Sequence, residues 1–511
     1  MPTDRIPSTF SETDVISELM YLNTVLKDPA KFPQVKSIRT ANIRNDCDPK
    51  KVGKFKSADD RRCVTKDAGL LQGWINQGWI NKKEPVIPTF LVAGPRDLLG
   101  FRKRPVHAAI VTTGGSAPGL NRVIHSIVKR HHETYRERLG NIYGVKDSFL
   151  GMCDFPNHHE ILSKEITETW IDRGGSMLGM RRYRGPQTEP ELSPEQLATR
   201  VLDQLQHNEI DILYVIGGDG SLSIAHEIAK QASAPAAVRR RRVSVVGIPK
   251  TMDNDVMWVS ESFGFKTAVD KATEIINTLN SEAETSRRIC LIELFGAESG
   301  YVAAHSALAS GHVDLVLIPE EFVSLSKGQC EKALERYVRH LKKLAKRAHD
   351  GPNEKPHAVV VLAEGTAKIL HQKKVVILRE NSDGKGEEEI VDDFLMDLKE
   401  RLREEKLTDK LGNEVDVFFN RPRHYIRASP ANAQDKIYCE QLGALAVDSA
   451  LAGYTDFMIS QWLDSYVLVP LELVAGYHKR IPTSSIFWKQ VVNSTGQPSI
   501  ECVDDDDEND S

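Results

Sequence analysis

The stretch Val245 to Val256, VVGIPKTMDNDV, sets Lys250, Asp253 and Asp255 directly behind an apolar run that reads as a buried parallel strand. Charge at the end of such a strand has to face a ligand or a partner, because burying it unpaired is costly. Asp253 and Asp255 are two apart, so in an extended turn both point to the same side. Thr251 lies between Lys250 and Asp253 and can donate a hydrogen bond. Two carboxylates here suit an Asx-turn pair. With Lys250 beside them they equally suit a base and a metal ligand. Phosphoryl transfer needs such a set: a base for the attacking hydroxyl, Mg²⁺ for the developing charge, and a cation.

Three further turns carry glycine and charge. TTGGSAPGLN, Thr112 to Asn121, has Gly114 and Gly115 after a strand and Pro118–Gly119 leading into a helix. Its backbone N–H groups and helix N-terminus suit phosphate, though a plain strand-to-helix turn uses the same residues. In VIGGDGSLSIA, Val215 to Ala225, Gly217, Gly218 and Gly220 bracket Asp219, and Ser221 opens the next helix. Such a turn can set backbone donors on phosphate oxygens while the carboxylate reaches Mg²⁺; alternatively Asp219 is a turn residue or N-cap. In GGSMLGMRRYRGPQ, Gly174 to Gln187, Arg181, Arg182 and Arg184 follow flexible backbone, as a polyphosphate site or a basic surface loop would.

The elements that must position these turns are legible as alternating strand and helix patterns. HAAIVTT, DILYVIGG, VSVVGIP, ICLIELFG, DLVLIPE, HAVVVLAEG and TDFMIS read as strands, with SPEQLATRVLDQL and TAVDKATEIINTL among the intervening helices. Near-continuous Val/Ile/Leu strands between amphipathic helices imply parallel sheets covered on both faces. The fold class is α/β, two doubly wound Rossmann-like lobes plus an N-terminal extension. In such sheets ligands bind beyond the carboxyl ends of the strands, where all four turns lie.

The expected division is an extension over 1–105, a phosphate-donor lobe over 106–264 completed from 430–475, a second lobe over 265–429 completed from 476–500, and a disordered acidic tail over 501–511. Within the extension, Ser11 and Asp14 open an amphipathic helix carrying Val15 to Leu26, followed by a polar basic stretch that reads as chain draped on a neighbour or partly disordered. The two tryptophans of GWINQGWIN, 73–81, are expected to pack on the main body. Residues 369–406 read as an insertion with a surface helix, and Arg239 to Arg242 as a solvated loop rather than a nuclear signal or anion site.

The 511 residues are 40% apolar and 27% charged, an ordinary globular composition. Net charge is −5, but six acids sit in the tail from Asp504, leaving the rest near neutral and without a nucleic-acid footprint. Seven scattered cysteines without a C-x-x-C pair fit a reducing compartment. No signal sequence or membrane-length apolar run is visible, and a cytoplasmic protein that binds neither membrane nor nucleic acid is expected.

Taken together the four motifs, GGSAPGLN, GGSMLG, GGDGS and PKTMDND in this order, resemble the phosphofructokinases. The resemblance continues through FGFKTAVDKA, GAESGYVAA, LVLIPEE, VVVLAEG, IRASPANAQDKIYC and ALAGYT and covers roughly residues 106–495. The N-terminal region, the Lys of PKT and the C-terminal half look most like the ATP-dependent enzymes of plants and trypanosomatids, relatives of the pyrophosphate-dependent ones. The resemblance implies phosphorylation of fructose 6-phosphate at its 1-hydroxyl by Mg²⁺-ATP in glycolysis. Gly220 favours ATP, since pyrophosphate users commonly carry an aspartate there that fills the space of the α-phosphate. Pyrophosphate as donor, and a catalytically weak regulatory member, are the alternatives.

Carried over residue by residue, the resemblance implies Asp253 as the base, with Lys250 near the transferring phosphoryl and Thr251 at the same substrate end. Asp219, helped by Asp255, would hold Mg²⁺. Gly115, Gly218, Gly220 and Ser221 would cradle the ATP phosphates along with Asp219, with Arg182 and Tyr183 also on the nucleotide. Met252, Phe295, Gly296, Glu364, His424 and Arg427 would line the sugar-phosphate site, with His424 and Arg427 as its phosphate clamp. Ala297 stands where the family usually has arginine, and Arg288 matches an arginine that reaches across a subunit interface and compensates. A homotetramer or homodimer is implied.

Overall fold

The computed structural model describes residues 26, 29–38, 43–45, 54–57, 60–66, 70–72, 74–75, 86–101, 104–180, 192–235, 241–347, 357–376, 387–404 and 415–500. The expected helix over Ser11 to Leu26 lies outside these residues except for Leu26, and so do Trp79, the Arg181–Tyr183–Arg184 stretch and the acidic tail.

In chain order the principal strands are β1 (Arg61–Cys63), β2 (Thr89–Val92), β3 (Val106–Thr112), β4 (Leu139–Val145), β5 (His159–Ile161), β6 (Ile212–Gly217), β7 (Ser244–Pro249), β8 (Ile289–Leu294), β9 (Leu315–Leu317), β10 (Ala358–Ala363), β11 (Val417–Asn420), β12 (Phe457–Trp462) and β13 (Ser465–Pro470). The helices that bear on the site are α1 (Leu120–Thr134), α2 (Asp219–Ala232), α3 (Phe265–Ser286), α4 (Glu364–Gln372), α5 (Glu387–Glu404), α6 (Arg423–Arg427) and α7 (Ala433–Leu451).

One sheet has nine strands, ordered β1-β2-β13-β12-β7-β6-β3-β4-β5, and the other has four, ordered β9-β10-β8-β11. Strands β12, β7, β6, β3 and β4 run parallel, with the antiparallel members at the edges. The smaller sheet is wholly parallel. Strands β6, β7, β8 and β10 are buried along their whole length, which is why they read as unbroken apolar runs rather than alternating ones. The chain passes from β3 to β4 on one side and to β6 and β7 on the other. This makes the gap between the ends of β3 and β6 a topological switch point, where such sheets take their ligands.

The extension is draped where it is described. Lys36–Ser37 pairs with Tyr454–Thr455, Ile43–Arg44 pairs with Leu98–Leu99, and β1 and β2 extend the large sheet. Trp74 is buried and its indole donates to the Leu26 carbonyl.

Two expectations change. Of the arginine run, Arg241 is bound rather than solvated: it bonds the wholly buried Asp211 at 2.9 Å, while Arg242 donates to the Ile38 carbonyl. The region from Ile369 is not a plain surface insertion either. Ile369 belongs to α4, and α5 buries Val391, Phe394, Leu395, Leu398 and Leu402 in the core of the smaller sheet.

Candidate active site

The ends of β3, β6 and β7 meet on one side of a cleft. After β3 the turn reaches α1 through Gly119 at φ 95°. After β6, Gly218 is the N-cap of α2 and Asp219 its first residue, so the helix N-terminus and its free N–H groups face outward with a carboxylate beside them. The Ser221 hydroxyl reaches Thr113 across the switch point at 3.4 Å, tying the two phosphate turns together. Gly220 has nothing within 4 Å of a Cβ built on it and needs no positive φ. Neither backbone nor packing therefore requires glycine there, and what the missing side chain preserves is open space.

The opening stretch forms the turn after β7. Lys250 is buried, its backbone N–H bonds the Gly217 carbonyl, and its ammonium donates to the Gly115 carbonyl, so it stands between the first two turns. Thr251 donates to Asp255 at 2.8 Å and accepts from the Asp253 N–H at 3.1 Å. That is an Asx-like local network, but it engages only Oδ1 of Asp255, leaves its Oδ2 toward His478, and leaves the Asp253 carboxylate directed elsewhere. The Asp253 carboxylate faces the backbone of Ala297, in the turn after β8. Burial, then the charges of Asp255 and Glu364, push the Asp253 carboxyl well above the usual carboxylate range, with Arg427 pulling the other way.

The smaller sheet presents its own carboxyl ends. After β8, Gly296 holds φ 131°, and a Cβ there would collide with the Ser299 carbonyl oxygen, so only glycine closes this turn. Glu364 begins α4 and pairs with Arg423 at 2.7 Å. Arg427 lies over the Phe295 ring at 4.7 Å and approaches Gly115, spanning the cleft from the second lobe to the first.

Among the residues singled out by sequence, the structure brings together Gly115, Asp219, Ser221, Lys250, Thr251, Asp253, Asp255, Phe295, Ala297, Glu364 and Arg427. It places two otherwise, and two more lie outside the described residues. His424 is exposed on α6. Arg288 lies at the amino end of β8, away from the cleft, near Glu282 and Asp416 at 3.8 Å each, so within one chain it does not reach the site. Arg182 and Tyr183 fall outside the described residues.

A further group comes from the C-terminal segment, which sequence reasoning missed. His478 stands 3.6 Å from Asp219 and 4.0 Å from Asp255. Burial opposes its charge, but Asp219, Asp255 and Glu298 outweigh this and raise its pKa. Lys479 donates to Asn254, Val259 and Ser260, and its N–H bonds the Asp255 carbonyl at 2.6 Å. Arg480 pairs with Glu298 at 3.3 Å. The basic tripeptide His478–Arg480 was the available signal, but it follows no glycine turn.

Two carboxylates converging on one imidazole form an all-oxygen donor pair for a hard cation. Mg²⁺ keeps several water or phosphate ligands and needs one or two protein carboxylates, so Asp219 and Asp255 fit it.

A two-sheet α/β chain with glycine turns, a carboxyl of raised pKa and a cross-cleft arginine fits a phosphotransferase, and comparison with known proteins gives the family. The phosphofructokinase family model matches residues 107–450, and the chain belongs to that family. It is 35% identical over 413 residues to the ATP-dependent 6-phosphofructokinase of Borreliella burgdorferi, covering 80% of this chain and 84% of that one. The chloroplastic ATP-dependent 6-phosphofructokinase 5 of Arabidopsis thaliana is 32% identical, with 86% of this chain and 72% of the relative covered. Among solved structures, the pyrophosphate-dependent phosphofructokinase of Marinobacter aquaeolei shares the fold at TM-score 0.55 and 17% identity over 77% of this chain and 92% of its own. The Pichia pastoris phosphofructokinase in the T-state does so at 0.54 and 20%, over 78% of this chain but only 37% of its own.

Proposed function

We propose that the chain phosphorylates fructose 6-phosphate at its 1-hydroxyl with Mg²⁺-ATP, giving fructose 1,6-bisphosphate in glycolysis. The observation that carries this reading is the position of Asp253: a carboxylate with a raised pKa, facing the Ala297 backbone, between the phosphate turns of one sheet and Arg427 of the other. The curated relatives named as ATP-dependent 6-phosphofructokinases support it.

Asp253 takes the proton of the sugar hydroxyl as the oxygen attacks in line. A base whose pKa is raised toward the working pH suits this step. Lys250, fixed on the Gly115 carbonyl, adds positive charge beside the transferring group. Gly218, Gly220, Ser221 and the α2 N-terminus cradle donor phosphates. Arg427 holds the sugar phosphate, and its fork geometry suits a bidentate contact. Asp219 and Asp255 would hold Mg²⁺, which when bound neutralises charge developing on the phosphates.

The open space at Gly220 favours ATP over pyrophosphate. A regulatory, inactive role is disfavoured because Asp253, Asp255 and Lys250 are all in place. Among the described residues no helix is long and apolar enough to cross a membrane. We place the protein in the cytoplasm as a homotetramer or homodimer, with Arg288 serving a neighbouring subunit's site. Assay of the purified chain with fructose 6-phosphate and each donor tests the reading: turnover with ATP is expected, turnover with pyrophosphate alone would transfer it to that donor, and none with either would overturn it.

A further inference from the structure

Glu293 is wholly buried at the carboxyl end of β8, yet it carries a charge-bearing group in the middle of an apolar sheet. It is met by two arginines beyond β11, Arg421 just past its end and Arg423 at the start of α6. Arg421 approaches one oxygen at 2.6 Å and Arg423 the other at 3.6 Å. Arg421 also pairs with Asp392 of α5 at 2.9 Å, and Arg423 with Glu364 of α4 at 2.7 Å. Burial pushes the Glu293 carboxyl up to about 7 against the pull of Arg423 and Arg421. A buried ion network of this kind is weak evidence for stability, since well-packed apolar residues often do as well. Its use is better sought in what the arginines face.

The parallel register sets Ile292 opposite Asn420. The pairing ends there and the chain turns into α6, so Arg421 and Arg423 both reach Glu293, one residue beyond Ile292. Phe295, Gly296 and Ala297 carry no charge, so the cations beside this turn come from α6 and the residues leading into it. Arg423 and Arg427 are four apart on α6 and therefore share a face. Arg427 already spans the cleft over Phe295.

We propose that Arg423 is a second guanidinium for the sugar phosphate, acting as a pair with Arg427, while Glu364 holds its place when no substrate is bound. This rests on the sugar-phosphate reading of the site. On binding, the phosphate takes over the Arg423 contact, and Glu364 is released to accept sugar hydroxyls. Glu293 is the positioning residue that keeps the guanidinium at the level of the turn.

The test is calorimetric binding of fructose 6-phosphate, which does not require turnover, together with KM for each substrate and Tm, in wild type, Arg423→Met, Arg423→Met/Glu293→Gln and Arg423→Met/Ala297→Arg. Loss of one charged partner should weaken fructose 6-phosphate binding by about tenfold or more and leave the KM for ATP within about twofold. The Glu293→Gln double variant should recover Tm but not sugar-phosphate affinity, and Ala297→Arg should restore affinity by returning a guanidinium to the same level. Affinity unchanged in Arg423→Met, or recovered along with Tm in the Glu293→Gln double variant, would overturn the proposal. Binding without turnover in wild type would sink the catalytic reading and leave this one standing, whereas a wild type that binds no fructose 6-phosphate would overturn both.

Discussion

His478 and Asp219 meet at 3.6 Å, joining the C-terminal segment to the first residue of the helix that follows the glycine turn. The same imidazole lies 4.0 Å from Asp255, so one side chain stands against both carboxylates proposed for Mg²⁺. Its positive charge neutralises the pair and competes with a cation for them. His478→Gln should therefore lower the Mg²⁺ concentration for half-maximal rate, with a modest Tm change. An unchanged Mg²⁺ titration would show that the imidazole does not face the metal position.

Asp253→Ser should cut turnover steeply while Tm and ATP binding stay close to wild type, because serine removes a carboxylate whose charge burial already disfavours. Removal of a general base typically costs about 10² to 10⁴ in kcat. In the intact enzyme the raised Asp253 pKa means the base is protonated, and the rate lost, as pH falls from above neutrality. A pH–rate profile over that range reads this directly.

Gly220→Asp should fold normally, since open space lies before the residue and no positive φ is required. It should raise the KM for ATP steeply by filling that space with a carboxylate, leaving the KM for fructose 6-phosphate near wild type. Parallel assays with ATP and pyrophosphate check whether the donor preference moves with it.

Lys479→Met removes the ammonium that donates to Asn254, Val259 and Ser260 behind the turn that carries Asp253; Asn254 keeps the Ser262 N–H and Ser260 is exposed, so the Val259 carbonyl is the acceptor left short. Unsatisfied buried partners cost about 1–3 kcal/mol each, so denaturant titration should show a loss of at least that order. Activity should hold wherever the variant stays folded, because the Asp255 carbonyl is held by the backbone N–H of residue 479, which methionine keeps.

Glu321, beside Tyr337 at 3.2 Å, has its carboxyl pushed up to about 8 chiefly by burial. A carboxyl whose folded pKa exceeds its unfolded value binds its proton more tightly when folded. Its stabilisation is complete below the ordinary carboxyl value of 4.5 and is lost as pH rises through about 8. Glu321→Gln should thus match wild type in Tm near pH 5 and exceed it near pH 8, by an amount on the order of 1 kcal/mol or more. Parallel melts at the two pH values check the sign.

The strands and their glycine turns were legible because fully buried parallel strands are continuous apolar runs, and because charge directly behind one of them demands a reason. The runs at 212–217, 244–249, 289–294 and 358–363 are strands in the structure, and the turns after them share one cleft. The sequence was less informative wherever partners lie far apart along the chain. Arg241, read as part of a solvated run, neutralises the buried Asp211. The helix over Glu387–Glu404, charged on average, buries one face because charge and apolar residues alternate around it.

By itself the sequence determined the α/β class, the family and the turn that carries Asp253, since each is a local pattern whose physical meaning survives without knowing its neighbours. Only the tertiary structure decided which cations face that turn. It brought His478, Lys479 and Arg480 onto it from the C-terminal segment, set Arg423 between Glu293 and Glu364 at the start of α6, and left Arg288 at the opposite end of its strand. A charge is attractive to any opposite charge, so pairing is chosen by which backbone positions the packed sheets bring within a few ångströms, and that choice is absent from local spacing.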